Sequence, residues 1–166
     1  MKKFMLLAVA GLMLCSFVWY QNTSTKEVVI DNSTIKWYTL EEAMEAQKTN
    51  PKKLMIDVYT DWCGWCKVMD QKTFTDPSVI QHLNESYYAV KFNAEQKDPI
   101  TFQGKTYSYL NGGKRGIHEF AYALLDRKAS YPSFVVLNDE LQRVGVIKGF
   151  KTPADFMQKL QGFQAL

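Results

Sequence analysis

Two cysteines separated by two residues, at the end of an apolar segment, constrain the fold of this chain most strongly. Cys63 and Cys66 lie in a Cys-Gly-Trp-Cys motif directly after the segment KLMIDVYT, residues 53–60. Its apolar residues leave little face for solvent, which predicts a buried central strand rather than an exposed edge. The following stretch, DWCGWCKVMDQKTF, predicts a turn that opens a helix. The cysteine pair is therefore expected at a strand-to-helix junction.

This placement makes Cys63 the more reactive of the two cysteines. The free N–H groups and the dipole at a helix N-terminus stabilise negative charge, so the pKa of Cys63 is expected to be lowered. Cys66 lies one helical turn further on, where it can attack a mixed disulfide formed by Cys63 and release the partner. Gly64 allows a tight turn and close approach of a partner chain.

Two other uses of the cysteine pair are less consistent with the sequence. A structural disulfide across so short a loop adds little stability. A zinc site needs two further ligands, and the two histidines, His82 and His118, are both on predicted helices without tetrahedral ligand spacing. The sequence therefore favours a redox-active dithiol.

The remaining pattern predicts an α/β domain with a central mixed sheet and helices on both faces. Thr39 and Glu42 form a predicted capping box at the start of one helix, and Asp76 caps another that begins at Pro77. Further predicted strands are residues 35–38, 87–93, 133–138 and 141–150, and further predicted helices are residues 117–128 and the segment from Pro153. Residues 95–116 are read as an enlarged loop with a small hairpin around Gln103-Gly104.

The first 25 residues form a separate segment. Lys2 and Lys3 precede an uncharged run over residues 4–20, which is typical of a signal peptide or a short membrane anchor. A lipoprotein site at Cys15 and a buried helix are alternatives. Residues 26–34 are expected to be a linker. If residues 1–25 direct export, Cys15 belongs to that segment, and the folded domain keeps two of the three cysteines.

Composition excludes several classes of protein. With 166 residues, 46% hydrophobic and 22% charged, the chain has the composition of one globular domain and not of a disordered or collagen-like protein. Without Lys2 and Lys3 the basic residues fall from 20 to 18 against 17 acidic ones, so the net charge falls from +3 to +1. A broad nucleic-acid surface is therefore not expected.

Residues 35–166 resemble the thioredoxin superfamily. The motif Trp-Cys-Gly-Trp-Cys-Lys differs from that of thioredoxin itself in having Trp65 where thioredoxin has proline. The residues over 59–67, with Thr-Phe-Thr-Asp-Pro over 73–77, are similar to the C-terminal periplasmic domain of the disulfide-interchange membrane reductase, which also supports cytochrome c biogenesis. The chain resembles a free-standing, exported version of that domain. The resemblance implies a thioredoxin fold.

The resemblance also implies roles for five further residues. Asp57 matches the family's buried acid, whose pKa desolvation would raise and which would take the proton of Cys66. Lys91 matches the lysine beside that acid, and Tyr131-Pro132 matches the cis-proline step that pairs with an extended partner. Gly149 matches a glycine near the site.

Ordinary structural roles remain open for these residues. Asp57 can be a solvated strand-edge residue, Lys91 an exposed strand lysine and Gly149 a turn glycine. Trp62 and Trp65 are interpreted as an apolar rim for a docking protein, with Trp65 partly exposed, although Trp62 can also pack beside the helix. The enlarged loop either shapes the docking surface or is a neutral insertion.

The predicted function is that of a cell-envelope thiol–disulfide oxidoreductase that reduces protein disulfides without a cofactor. Cys63 attacks, Cys66 resolves, and Asp57 with Lys91 assists proton transfer. Expected partners are protein disulfides and an envelope or membrane electron donor, and the expected form is a periplasmic monomer. A disulfide oxidase or isomerase is the alternative activity. A non-enzymatic copper-binding module on the same fold is the alternative of another class.

Overall fold

The computed structural model describes residues 33–112 and 115–163, within one unit, Asp31–Leu166. The predicted segment 1–25 and most of the predicted linker lie outside the described residues. The strands are β1 (Trp37–Tyr38), β2 (Lys53–Tyr59), β3 (Tyr87–Asn93), β4 (Ile100–Phe102), β5 (Lys105–Tyr107), β6 (Tyr109–Leu110), β7 (Ile117–His118), β8 (Ser133–Leu137) and β9 (Arg143–Lys148). The helices are α1 (Leu40–Thr49), α2 (Gly64–Lys72), α3 (Pro77–Ser86), α4 (Glu119–Leu124) and α5 (Pro153–Gln161).

A five-stranded mixed sheet with the order β1-β3-β2-β8-β9 lies at the centre of the fold. β2 pairs in parallel with β3 and antiparallel with β8, and β9 pairs antiparallel with β8. In this register Asp57 lies opposite Lys91 on β3 and Phe134 on β8. The prediction of a buried central strand is confirmed, because Leu54 and Ile56 have no exposed surface.

Helices cover both faces of the sheet, as predicted. One core cluster joins residues of the sheet to α1 and α4, and a second joins the sheet to α2, α3 and α5. The predicted caps are present: Thr39 and Glu42 form the capping box of α1, and Asp76 accepts hydrogen bonds from the first turn of α3. Among the described residues, no helix is both long and apolar enough to cross a membrane.

The predicted helix over 117–128 is wrong at both ends. Ile117 and His118 form β7, and α4 begins only at Glu119. The helix ends at Leu124 because Asp126 and Arg127 have φ values of 53° and 62°, in the left-handed region. Apolar periodicity does not report these local backbone reversals.

The enlarged loop and β7, which follows it, form two small hairpins, and residues 95–118 are called the insertion. β4 and β5 meet at Gln103 and Gly104, both with positive φ, so the hairpin predicted there is confirmed. β6 pairs with β7, which was not predicted. The insertion is tied to the main sheet because the His118 N–H donates to the carbonyl of Ala94 at 2.7 Å, directly after β3.

His118 is a fully buried polar residue in this insertion. Its Nδ1 accepts a hydrogen bond from the Phe120 N–H at 3.2 Å, and Nε2 lies 3.2 Å from the carbonyl oxygen of Asp98. The ring also packs edge-on against Phe92, with centroids 5.3 Å apart. A neutral ring protonated at Nε2 satisfies both hydrogen bonds, and burial lowers the pKa of His118 below its usual value.

We expect His118→Ala to lower the free energy of unfolding by about 2 kcal/mol at pH 8, because the buried Phe120 N–H loses its acceptor and the Asp98 carbonyl loses a donor. The pKa of His118 is lower when folded, so its contribution is complete above about pH 6.5 and is lost as the pH falls through the folded value. The variant should therefore lose less stability than the wild type between pH 8 and pH 5. Urea denaturation at both pH values measures this difference.

His118→Asn is the matched control, because asparagine also caps a helix N-terminus but does not titrate. It should be more stable than His118→Ala and should share its weaker pH dependence. A wild-type pH dependence in both variants would show that His118 does not titrate on unfolding.

Candidate active site

The two cysteines form a disulfide at the N-terminus of α2, which begins shortly after β2 ends. Cys63 is the N-cap of α2, and its Sγ accepts the backbone N–H of Cys66 at 3.1 Å. Each cysteine is only 4% exposed. The predicted strand-to-helix placement is confirmed, and the backbone N–H at Cys63 Sγ is the type of contact that stabilises a thiolate there.

Two exposed tryptophans are direct chain neighbours of the two cysteines. Trp62 is 52% exposed and Trp65 is 61% exposed, which confirms the prediction that Trp65 is partly exposed. Trp65 packs against Phe150 with ring centroids 5.6 Å apart, and Trp62 meets the edge of Tyr131 at 6.0 Å. Contiguous exposed apolar rings of this kind are typical of surfaces that bind a partner.

The peptide bond between Tyr131 and Pro132 is cis, as the resemblance implies. Gly149 lies beside this step, because its N–H donates to the carbonyl of Pro132 at 2.8 Å. Gly149 has φ +72°, so it is both a turn glycine and a neighbour of the cis-proline. Gly64 is the first residue of α2, and no atom lies within 4 Å of the position that a Cβ would occupy there.

A buried acid and a lysine lie behind the cysteine helix. Asp57 is 2% exposed, so the alternative of a solvated strand-edge residue is wrong. Lys91 Nζ lies 2.7 Å from Asp57 Oδ2 and also contacts Asp70 Oδ1 on α2. Asp57 Oδ1 has no hydrogen-bond partner among the described residues. One oxygen of the buried carboxyl is therefore available to hold a proton.

The environment of this pair shifts both pKa values. Burial raises the pKa of Asp57 to about 6, although the Lys91 ammonium partly opposes the shift. Burial alone would lower the pKa of Lys91, but the carboxylates of Asp57 and Asp70 outweigh it and raise that pKa. Asp57 is thus the group of this pair that changes its charge near neutral pH.

Sequence reasoning missed several neighbours of the predicted site. The Trp62 indole N–H donates to Glu95 Oε1 at 2.9 Å, and the Arg115 guanidinium lies 4.5 Å from the centre of the indole ring. Burial, followed by the charge of Glu95, raises the pKa of Tyr131 to about 12. Asp70 lies four residues after Cys66 on the same helix face, and Glu95 follows the carboxyl end of β3. Helix periodicity and the end of a predicted strand could therefore have placed Asp70 and Glu95 near the site. No pattern in the sequence indicates that Arg115 lies there.

The described residues contain no group of three or more His, Cys, Asp or Glu placed to hold a metal ion.

Comparison with known proteins gives a family and a fold. The family model Thioredox_DsbH, described as "Protein of unknown function, DUF255", matches residues 21–116, which is more than half of the chain. The thiol:disulfide interchange protein DsbD of Actinobacillus pleuropneumoniae is 34% identical over 86 residues, which cover 49% of this chain and 15% of that protein. The chain spans less than a fifth of the length of the curated relatives it matches. The resemblance to the disulfide-interchange reductase is confirmed.

Two solved structures resemble the whole domain. A thioredoxin from Thermus thermophilus aligns with a TM-score of 0.57 at 20% identity, covering 78% of this chain and 86% of that one. A structure titled "DsbH Oxidoreductase" also aligns with a TM-score of 0.57, at 16% identity, covering 80% of this chain and 86% of that one. The predicted thioredoxin fold is therefore confirmed.

We expect Asp57→Asn to raise the free energy of unfolding at pH 8 by about 2 kcal/mol, because a buried charge is removed. The pKa of Asp57 is raised on folding from 3.8 to about 6. Its contribution to stability is therefore complete below pH 3.8 and is lost as the pH rises through about 6. The gain in Asp57→Asn should accordingly shrink at pH 5, and chemical denaturation at both pH values measures it.

Asp139→Asn serves as the control, because Asp139 is exposed in the turn before β9. It should change the stability by less than about 0.5 kcal/mol at either pH. Equal effects of the two substitutions, or a destabilised Asp57→Asn at pH 8, would contradict the costly burial of the Asp57 charge.

Proposed function

This chain belongs to the Thioredox_DsbH family, and we propose that it is a thiol–disulfide oxidoreductase that reduces protein disulfides in the cell envelope. The observation that carries the proposal is the Cys63–Cys66 pair at the N-terminus of α2, with the Cys66 N–H directed at Cys63 Sγ. A sulfur held there is the preferred nucleophile of the pair. The related protein named for thiol:disulfide interchange supports the same reaction class.

The proposed reaction starts from the dithiol. The Cys63 thiolate attacks one sulfur of a partner disulfide, and the other partner sulfur leaves as a thiolate. The Cys66 thiolate then attacks the Cys63 sulfur and releases the second partner sulfur. Two electrons pass to the partner, and the protein is left with the Cys63–Cys66 disulfide that the structure contains.

Asp57 and Lys91 are proposed to assist the second attack. Cys66 must lose a proton before it attacks, and the unpartnered Oδ1 of the buried Asp57 is a site that can take one. The pKa of about 6 that burial gives Asp57 suits proton exchange near neutral pH. Lys91 limits this rise because its ammonium favours the charged carboxylate.

The docking surface is proposed to combine an apolar rim with backbone pairing. Trp62 and Trp65 supply exposed rings on the surface around the disulfide, and the open space at Gly64 admits a partner chain. The cis Tyr131-Pro132 step, with Gly149 beside it, presents backbone to an extended substrate segment.

The proposed location is the bacterial periplasm, reached through the predicted export or anchor segment of residues 1–25. An oxidising compartment requires that another protein return electrons to the dithiol, so a membrane or envelope electron donor is the expected partner. A role in cytochrome c biogenesis belongs to the same proposal, because it rests on the resemblance to the disulfide-interchange reductase. We expect the protein to act as a monomer.

Cys66→Ala should accumulate mixed disulfides with partner proteins, because the Cys63 adduct can no longer be resolved. Cys63→Ala should trap at least tenfold less, since the sulfur at the helix N-terminus is absent. Non-reducing electrophoresis with mass spectrometry of the adducts measures both. The double variant Cys63→Ala/Cys66→Ala gives the background from Cys15. Equal trapping by both single variants would contradict the assigned order of attack.

The reduction potential of the Cys63–Cys66 couple tests the direction of electron flow. We expect a value near about −270 mV, in the range of a disulfide reductant, and a value near about −120 mV would identify an oxidant instead. Equilibration with glutathione or dithiothreitol buffers, followed by thiol alkylation, measures the potential. A protein that binds copper and fails to reduce insulin would instead support the binding-module alternative.

A further inference from the structure

A cavity of about 510 Å³ lies beside the cysteine motif, between the end of β2 and the insertion. Asp61 lines it and precedes Cys63 by two residues, a chain distance of at most about 7 Å. Glu95 and Arg115 also line it, and both contact the Trp62 indole, which is the direct neighbour of Cys63. A group bound in this cavity is therefore within the length of a small peptide from the reactive sulfur.

Among the described residues that line the cavity, the cations are Lys97 and Arg115, and neither has an acidic partner in the described part of the chain. Lys97 Nζ lies 3.0 Å from the centre of the Tyr109 ring, and the Arg115 guanidinium lies over Trp62. Neither takes part in the ion pairs found in residues 33–112 and 115–163. A cation stacked on an aromatic face keeps N–H groups that can bind a carboxylate.

The two carboxylates of the cavity are each held through one oxygen. Asp61 Oδ2 accepts from the Asn93 side chain at 3.1 Å, and Glu95 Oε1 accepts from Trp62 at 2.9 Å. A carboxylate accepts about four hydrogen bonds, so the second oxygen of each remains able to bind an ammonium group. A ligand with only negative or only positive charge would be repelled by one of the two pairs of side chains. A zwitterion can place its carboxylate by the cations and its ammonium group by the carboxylates.

We propose that this cavity binds the free α-amino-acid end of a small disulfide, such as a γ-glutamyl peptide disulfide, and presents its sulfur to Cys63. The substrate carboxylate pairs with Lys97 and Arg115, and its ammonium pairs with Asp61 and Glu95. The volume lies in the range of roughly 300–1,000 Å³ that is usual for small-ligand sites. This inference rests on the proposed thiol–disulfide exchange, and it adds a class of substrate to it.

The reaction balances without a further reactant once the protein is a dithiol. Cys63 attacks one sulfur of the small disulfide, and the first thiol leaves. Cys66 then attacks Cys63, and the second thiol leaves. One disulfide and one protein dithiol become two small thiols and the Cys63–Cys66 disulfide.

The test compares three small disulfides with the reduced wild-type protein and with Lys97→Gln/Arg115→Gln. Glutathione disulfide carries both charges at its α-amino-acid ends, cystamine carries only ammonium groups, and dithiodiglycolate carries only carboxylates. Rates of dithiol oxidation are followed by quenched alkylation. The matched control is Lys105→Gln/Lys128→Gln, which removes the same charge from exposed positions that do not line the cavity.

We expect the ratio of the glutathione disulfide rate to the cystamine rate to fall about tenfold in Lys97→Gln/Arg115→Gln, as for the loss of a charge-assisted hydrogen bond. The control should keep the wild-type ratio. Asp61→Asn, which removes an ammonium partner, should raise the dithiodiglycolate rate relative to the glutathione disulfide rate. Equal losses for all three disulfides, or an unchanged ratio, would overturn the proposal.

Insulin reduction by the wild-type protein distinguishes failure of the cavity assignment from failure of the proposed exchange activity. Insulin reduction together with an unchanged rate ratio overturns the cavity assignment and leaves the exchange activity in place. Failure of the wild-type dithiol to react with either insulin or the small disulfides overturns both. Single variants, Lys97→Gln and Arg115→Gln, give the same comparison if the double variant does not fold.

Discussion

The pairing of β2 with a parallel neighbour on one side and an antiparallel neighbour on the other determines where the site forms. The carboxyl end of β2 leads to Cys63, and the carboxyl end of the parallel strand β3 leads to Glu95. Because β8 runs antiparallel to β2, its beginning lies at the same edge, and Pro132 directly precedes it. Three segments distant in sequence are thus brought to one sheet edge by strand pairing alone.

The same strand carries a buried carboxyl group whose ionisation lowers the stability of the fold. Asp57 lies on a strand that is buried on both faces, and its one described ionic partner is Lys91 across the parallel pair. Burial raises the pKa of Asp57 to about 6, so the folded protein loses stability whenever this carboxyl ionises. Groups that lower stability in this way are typical of sites where a proton must move, which agrees with the proposed role of Asp57.

Local patterns predicted the elements that build this edge but not the contacts across it. The apolar run of β2, the Thr39 capping box and the proline after Asp76 are short-range signals, and each predicted its element correctly. The two-residue strands β6 and β7 are too short to show alternation of apolar and polar residues. The residues with left-handed backbone after α4 are Asp126 and Arg127, and no glycine marks that turn in the sequence. The contact between Trp62 and Arg115 joins residues far apart in sequence, and only the folded insertion brings them together.

That insertion changes what Trp62 can contribute. In a site made only of the cysteine motif and the cis-proline, an exposed indole offers an apolar face to any partner. Here one edge of the indole donates to Glu95, a cation covers part of its surface, and Tyr131 meets it edge-on. Trp62 therefore forms the boundary between two different surfaces. Trp65 with Phe150 is apolar, whereas the cavity beyond Trp62 is lined by charges of both signs. Because the disulfide lies next to both, the proposed exchange with proteins and with small disulfides assigns one substrate class to each surface.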